Sequence, residues 1–151
     1  MFASEFSLGP GGAKDALYIR RLVFVDELGL DEQFVFDDKD AFCAHLTVRM
    51  DGEPIASGRM ASNERGVNIE FICVKKDFRG QGFGDMCLRT MLNKAQSMGA
   101  TNAYVHVPER YKAYYEAFGF REFGRGQNEY VNMVVETAHV DWHPNCGGHG
   151  G

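Results

Sequence analysis

The segment Arg79-Gly80-Gln81-Gly82-Phe83-Gly84 places three glycines at alternate positions between two stretches of different periodicity. Before it, residues 67–74 are apolar and rich in β-branched side chains, which predicts a strand. After it, Met86, Leu88, Met91, Leu92 and Ala95 recur at helical intervals until Gly99, a residue suited to a C-terminal cap. A strand that turns through glycines directly into a helix presents unpaired backbone N–H groups at one point. The first four amides of a helix have no partner within it, and the helix dipole adds partial positive charge there. Phosphate binds such a place readily. Glycines at 80, 82 and 84 allow close backbone approach, and Arg79 can add a charge-assisted bond to the same anion. The segment lacks the Gly-Lys-Ser/Thr that closes a Walker loop, and it does not have dinucleotide spacing. It predicts an anion cradle without naming the owner of the anion.

The rest of the chain supplies a mixed set of elements. Residues 14–28 carry Leu17, Leu22, Val25 and Leu28 at helix-like spacing, with Arg20, Arg21 and Asp26 for the wet side, so an amphipathic helix is expected after the turn at 9–12. Residues 26–40 hold seven acids against one lysine and read as a loop or short helical stretch. Residues 45–50 and 55–60 are strand-like and flank Asp51-Gly52, a strong hairpin signal. Then come the strand at 67–74, the glycine turn with its helix, a strand at 103–107, a short helix at 111–118 closed by Gly119, and strands at 120–123 and 130–135. This order predicts a mixed α/β domain (α+β) rather than a repeating βαβ unit.

Composition sets the class. The chain has 151 residues, 44% hydrophobic and 25% charged, enough for one domain with its own core. No apolar run approaches the roughly 18 residues of a membrane span. The first ten residues do not read as a secretory signal, so a cytoplasmic location is expected and no membrane partner. A net charge of −5 argues against a nucleic-acid partner. Cys43, Cys73, Cys87 and Cys146 form no CxxC pair and read as reduced thiols. Residues 137–151 hold three histidines, a cysteine and an aspartate, yet no second ligand pair occurs at finger-like spacing. The segment therefore reads as a polar tail to a domain spanning 1–136, and no metal is expected.

The run Val74-Lys75-Lys76-Asp77-Phe78-Arg79-Gly80-Gln81-Gly82-Phe83-Gly84 resembles the acetyl-CoA signature of the GNAT superfamily, Gln/Arg-x-x-Gly-x-Gly/Ala. Roughly thirty residues downstream, Tyr114-Tyr115-Glu116-Ala117-Phe118-Gly119-Phe120 resembles that family's Phe-Tyr-Glu-x-x-Gly-Phe. Residues 20–40, with Ser57-Gly58-Arg59 after them, are similar to small bacterial-type members, and the likeness covers 5–136. Two positions depart from the family pattern: Pro108 stands where an asparagine is frequent and Tyr111 where an alanine is. The resemblance implies a mostly antiparallel sheet of about six to seven strands flanked by about four helices. It implies an acetyl-CoA-dependent N-acetyltransferase, in which an amine of a small molecule or peptide attacks the thioester directly.

An alkylamine with a pKa near about 10.4 is only roughly 0.1% neutral at pH 7.4, so such an enzyme must remove a proton and stabilise an oxyanion. Glu70, a lone carboxylate in Ile69-Glu70-Phe71-Ile72, is the candidate base. By resemblance, Tyr115 is the candidate acid for the departing thiolate. Ile72, Cys73 and Val74 would line the pantetheine arm beside a strand bulge, with the Val74 amide polarising the thioester carbonyl. Arg79, Gly80, Gln81, Gly82, Phe83 and Gly84 would hold the diphosphate. Cys73 reads as an inert buried thiol rather than a nucleophile. The acids of 26–40 read as a solvated run, with attraction of a cationic acceptor as the functional alternative. The acids of 37–40 and Val23-Phe24 also resemble acyl-homoserine-lactone synthases, which generally lack so clean a coenzyme signature. A coenzyme A sensor without turnover is the alternative outside catalysis. An exposed final strand offers a route to a homodimer.

Overall fold

The computed structural model describes residues 1–142. Seven strands form one sheet: β1 (Phe2–Leu8), β2 (Ala44–Met50), β3 (Glu53–Asn63), β4 (Gly66–Val74), β5 (Asn102–Pro108), β6 (Arg121–Arg125) and β7 (Tyr130–Glu136). Their spatial order is β1-β2-β3-β4-β5-β7-β6, and only β4 and β5 run parallel. Among the described residues the α-helices are three, not about four: α1 (Lys14–Arg20), α2 (Phe83–Ser97) and α3 (Lys112–Ala117). No helix among them is long and apolar enough to cross a membrane.

Local chemistry accounts for the elements that are legible in sequence. Asp51 and Gly52 both take positive φ (50° and 88°) in the two-residue turn joining β2 to β3. Gly99 closes α2 at φ 80°, with Ala100 donating back to the Ala95 carbonyl. Helix α2 buries Phe83, Cys87, Leu88, Met91, Leu92 and Ala95, a stripe that repeats every three or four residues. That stripe seals the main core against Leu46, Val48, Ile55, Ile69, Val105 and Met133.

Four expectations need correction. Strand β1 has no counterpart among the expected elements, because Ser4 interrupts the alternation of Phe2, Phe6 and Leu8 and none of its residues is fully buried; pairing with β2 makes it a strand. The helix expected over 14–28 is α-helical only to Arg20 and continues as a π-helix, Arg21–Glu27. Its buried stripe is Ala16, Ile19, Arg20 and Val23 instead of Leu17, Leu22, Val25 and Leu28, and Arg20 is buried, not on the wet side. The final strand is not exposed: β7 lies between β5 and β6, so the sheet's edges are β1 and β6.

Residues 137–142 continue the folded body past position 136. Thr137 is buried and donates to the Ala100 carbonyl, Asp141 donates its amide to the Phe118 carbonyl, and Val140 and Trp142 pack on the main core. His139 is described and exposed beside Glu136, whereas His143, Cys146 and His149 lie outside the described residues.

Candidate active site

Strands β4 and β5 stay paired only at Val67–Ala103 and Asn68–Tyr104. Beyond those pairs they separate, and β4 contains a bulge. Opposite β3, Ser57 pairs with Cys73 but Arg59 pairs with Glu70, so three steps of β4 match two of β3. Phe71 at the bulge sits at φ 55°, a conformation that costs a bulky residue on the order of 1–3 kcal/mol. Its ring explains how the strain is held. The guanidinium carbons of Arg20 and Arg59 lie 4.5 and 4.9 Å from its centroid, and Phe24 meets it edge-on.

Those two arginines are buried and need counter-charges. Arg20 donates to Asp40 at 2.9 Å; Arg59 donates to Asp37 at 2.7 Å, Asp40 at 3.0 Å and Glu70 at 2.9 Å. The acidic stretch is therefore not merely solvated, since Asp37 and Asp40 are the partners of the buried arginines. Burial pushes the Asp40 carboxyl upward, but hydrogen bonds and charge from Arg20 and Arg59 more than reverse this and hold it below its ordinary value. The hydrogen bond from Arg59 likewise lowers Asp37. Burial keeps His45 neutral; its Nε2 donates to the Asp40 carbonyl and its Nδ1 accepts from Arg20. A signal for this cluster is present in the sequence: Arg59, like Glu70, is a charge set inside an apolar strand, and the two are cross-strand partners.

Strand β4 runs on into the glycine turn. Gly80 and Gly82 take φ 77° and 88°, the left-handed region. Gly82 caps α2, and among the described residues no side chain caps the amides of its first turn. A Cβ at either glycine would meet nothing within 4 Å, so the turn faces open space. Gln81 is exposed, Phe83 and Gly84 are buried. The Arg79 side chain is already engaged, since its Nε donates to the Val74 carbonyl at 2.9 Å and its two Nη atoms grip Glu27 at the end of the π-helix. With Arg79 so engaged, the turn is left with backbone groups rather than a free guanidinium.

The remaining expected residues fall on two sides of the strand separation. Ile72 packs on the main core, while Cys73 is buried with Ile19 and Val23 beneath α1. Burial pushes the Cys73 thiol up to about 11, which leaves too little thiolate for a nucleophile near neutrality. Tyr115 belongs to the main core, against Tyr114 and Phe120. Burial raises its hydroxyl above the ordinary phenol value. The hydroxyl makes no hydrogen bond to another described residue. Tyr114, by contrast, donates to Asp85 at 2.7 Å.

Glu70 lines a cleft of about 200 Å³ with Asn68, Tyr104, His106, Phe123 and Asn132. Asn68 and Glu70 of β4 and Tyr104 and His106 of β5 line this cleft, while Val67, Ile69, Ala103 and Val105 are buried in the main core. No contact joins Glu70 to Tyr115: they flank the separated strands from different faces. Sequence reasoning passes over Asn68, His106 and Asn132, whose proximity depends on pairings between β4, β5 and β7. A second depression, about 440 Å³, lies at the far end of α2 around Gln96, Thr101 and Thr137, and contains no residue of the glycine turn.

Comparison with known proteins supports the same architecture. YyaT of Bacillus subtilis, an uncharacterized protein, is 27% identical over 131 residues, 82% of this chain and 88% of its own. YjcF of the same organism, described as an uncharacterized N-acetyltransferase, is 27% identical over 108 residues, 72% of this chain and 77% of its own. A Lactobacillus plantarum protein crystallised as a candidate N-acetyltransferase superposes with a TM-score of 0.82 at 25% identity, over 90% of this chain and 98% of that one. The sequence profile of the acetyltransferase (GNAT) family matches residues 15–120, an interval that contains the bulged strand, the glycine turn and the Tyr115 motif. The chain belongs to the acetyltransferase (GNAT) family.

Proposed function

We propose that this protein is an acyltransferase that uses acetyl-CoA to acetylate a primary amine of a small molecule or peptide by direct attack. The observation that carries the reading is the continuity of three features: the bulge and separation of β4, the left-handed glycine turn, and the uncapped start of α2. The amides from Gly82 onward are suited to the diphosphate, and the edge of β4 at Ile72, Cys73 and Val74 is suited to an extended pantetheine arm, strand fashion. The Val74 amide would polarise the thioester carbonyl. Tyr115, protonated at any physiological pH, would deliver a proton to the sulfur. Glu70 marks the acceptor side, where its carboxylate draws in the ammonium group and assists its deprotonation.

The atoms and charges balance. The ammonium loses one proton to a base on the acceptor side; the neutral nitrogen forms the C–N bond; the C–S pair of electrons leaves on sulfur; the second nitrogen proton ends on that sulfur through Tyr115. Titration calorimetry with acetyl-CoA, then a thiol-release screen over amines, polyamines, aminoglycosides and peptide N-termini, tests the reading. Saturable binding with acceptor-dependent thiol release is expected. Absence of binding rejects the reading, and binding without release from any acceptor favours a coenzyme sensor.

A further inference from the structure

Proton removal requires a lone pair that faces the acceptor, and Glu70 meets this need incompletely. Arg59 donates from Nε to one oxygen of this carboxylate at 2.9 Å and its Nη2 lies 2.8 Å from the same oxygen, so that oxygen is turned to the arginine rather than to the acceptor. Of the other titratable side chains on the opening, Arg65, Tyr104 and His106, the imidazole is the one that can take up a proton near neutrality, and it stands across from Glu70. Asn68 and Tyr104 are the last register pair of the parallel strands, and two residues further along each strand, on the same face, come Glu70 and His106. Both line the cleft.

The His106 ring is exposed yet held in place. Nδ1 lies 2.7 Å from the Asn132 side-chain oxygen, and Tyr130 stacks on the ring at 5.0 Å between centroids and 15° between planes. A Cβ on Gly126 would fall 2.4 Å from Cε1, so the β6–β7 turn fits closely over the ring edge. An amide oxygen only accepts, so Nδ1 carries the proton and Nε2 keeps its lone pair. Nε2 has no hydrogen-bond partner among the described residues. The charged and polar groups around it are Glu70 and Arg65 from the β4 side, Tyr104 on its own strand, and Tyr130 and Asn132 on β7.

We infer that His106 is the catalytic base of the amine transfer proposed above, on which this inference rests. Nε2 takes one proton from the acceptor ammonium and passes it to solvent, while Asn132 fixes the tautomer and Glu70, held by Arg59, stabilises the cation that forms. The neutral amine then attacks as already described.

The test compares wild type with H106Q on a matched pair of probes, tyramine and 4-aminophenol, with acetyl-CoA binding measured in parallel. The arylamine is neutral near pH 7 and needs no prior deprotonation. His106 is exposed, so H106Q is expected to fold with unchanged thermal midpoint and unchanged acetyl-CoA affinity. Its kcat with tyramine should fall by about 100-fold or more and its kcat with 4-aminophenol by less than about threefold. Nitrogen-15 shifts of labelled enzyme should show Nδ1 protonated and Nε2 bare. Equal loss on both probes, no loss on either, the opposite tautomer, or a wild type that binds acetyl-CoA and transfers to neither probe would each overturn the assignment. A wild type that does not bind acetyl-CoA rejects the proposed function itself.

Discussion

Two adjacent tyrosines separate folding from chemistry at the scale of single residues. Tyr114 gives its hydroxyl to Asp85 inside the core, and the neighbouring Tyr115 hydroxyl bonds to no other described residue. Y114F should therefore lower unfolding free energy by about 1–2 kcal/mol in urea titration and leave thiol release nearly intact. Y115F should leave the urea midpoint in place and lower kcat by about 10-fold or more, with acetyl-CoA affinity retained. Reversal of the two patterns would exchange their roles. Arg59 poses a different question, because it is 1% exposed and faces three carboxylates. R59M removes the partner shared by Asp37, Asp40 and Glu70, leaves Asp40 with Arg20 alone, and should cost about 3–5 kcal/mol at pH 7. The sign with pH comes from Asp37 and Asp40. Their folded pKa values lie below the ordinary 3.8, so their stabilisation is present above that value and is lost as pH falls through the lower folded values. In R59M burial acts with less opposition, and the acid-unfolding midpoint, monitored by circular dichroism, should move upward.

Single elements show why parts of the site are legible in sequence and others are not. The glycine turn, α2 and the β2–β3 hairpin obey local rules of capping, φ and periodicity, and they form where local reading puts them. The bulge in β4 obeys no local rule, since Phe71 is a poor choice for positive φ. It persists because Arg20 and Arg59, distant in sequence, clasp the ring. The π-helix has the same character: nothing in residues 21–27 announces the wider winding that ends with Glu27 against Arg79. The point where β4 and β5 still touch is also fixed by a long-range contact. Gly66 has φ 146°, and a Cβ there would lie 2.1 Å from the Asn102 carbonyl oxygen, a backbone atom. G66A should destabilise by about 2 kcal/mol or more in urea titration, because the strands must part where they are paired. A neutral effect would mean that the pairing at Val67–Ala103 is dispensable.

For the molecule as a whole, sequence reading locates one mixed domain but sets its end at 136, since polar residues and histidines dominate the remainder of the chain. The physical reason is that Thr137, Val140 and Trp142 find partners only in three dimensions, on the Ala100 carbonyl and the α2–α3 core. A chain ended after Glu136 should lose about 2–4 kcal/mol, read as a lower urea midpoint at constant slope. An unchanged midpoint would place these residues outside the cooperative unit. All the catalytic proposals share one requirement, that coenzyme A lies along the parted edge of β4 with its diphosphate on the start of α2. Amide chemical-shift mapping with acetyl-CoA tests this directly. The largest changes should fall on Phe83, Gly84, Asp85 and the amides of Ile72 and Val74; changes confined to other surfaces, or none at saturating coenzyme, would contradict it.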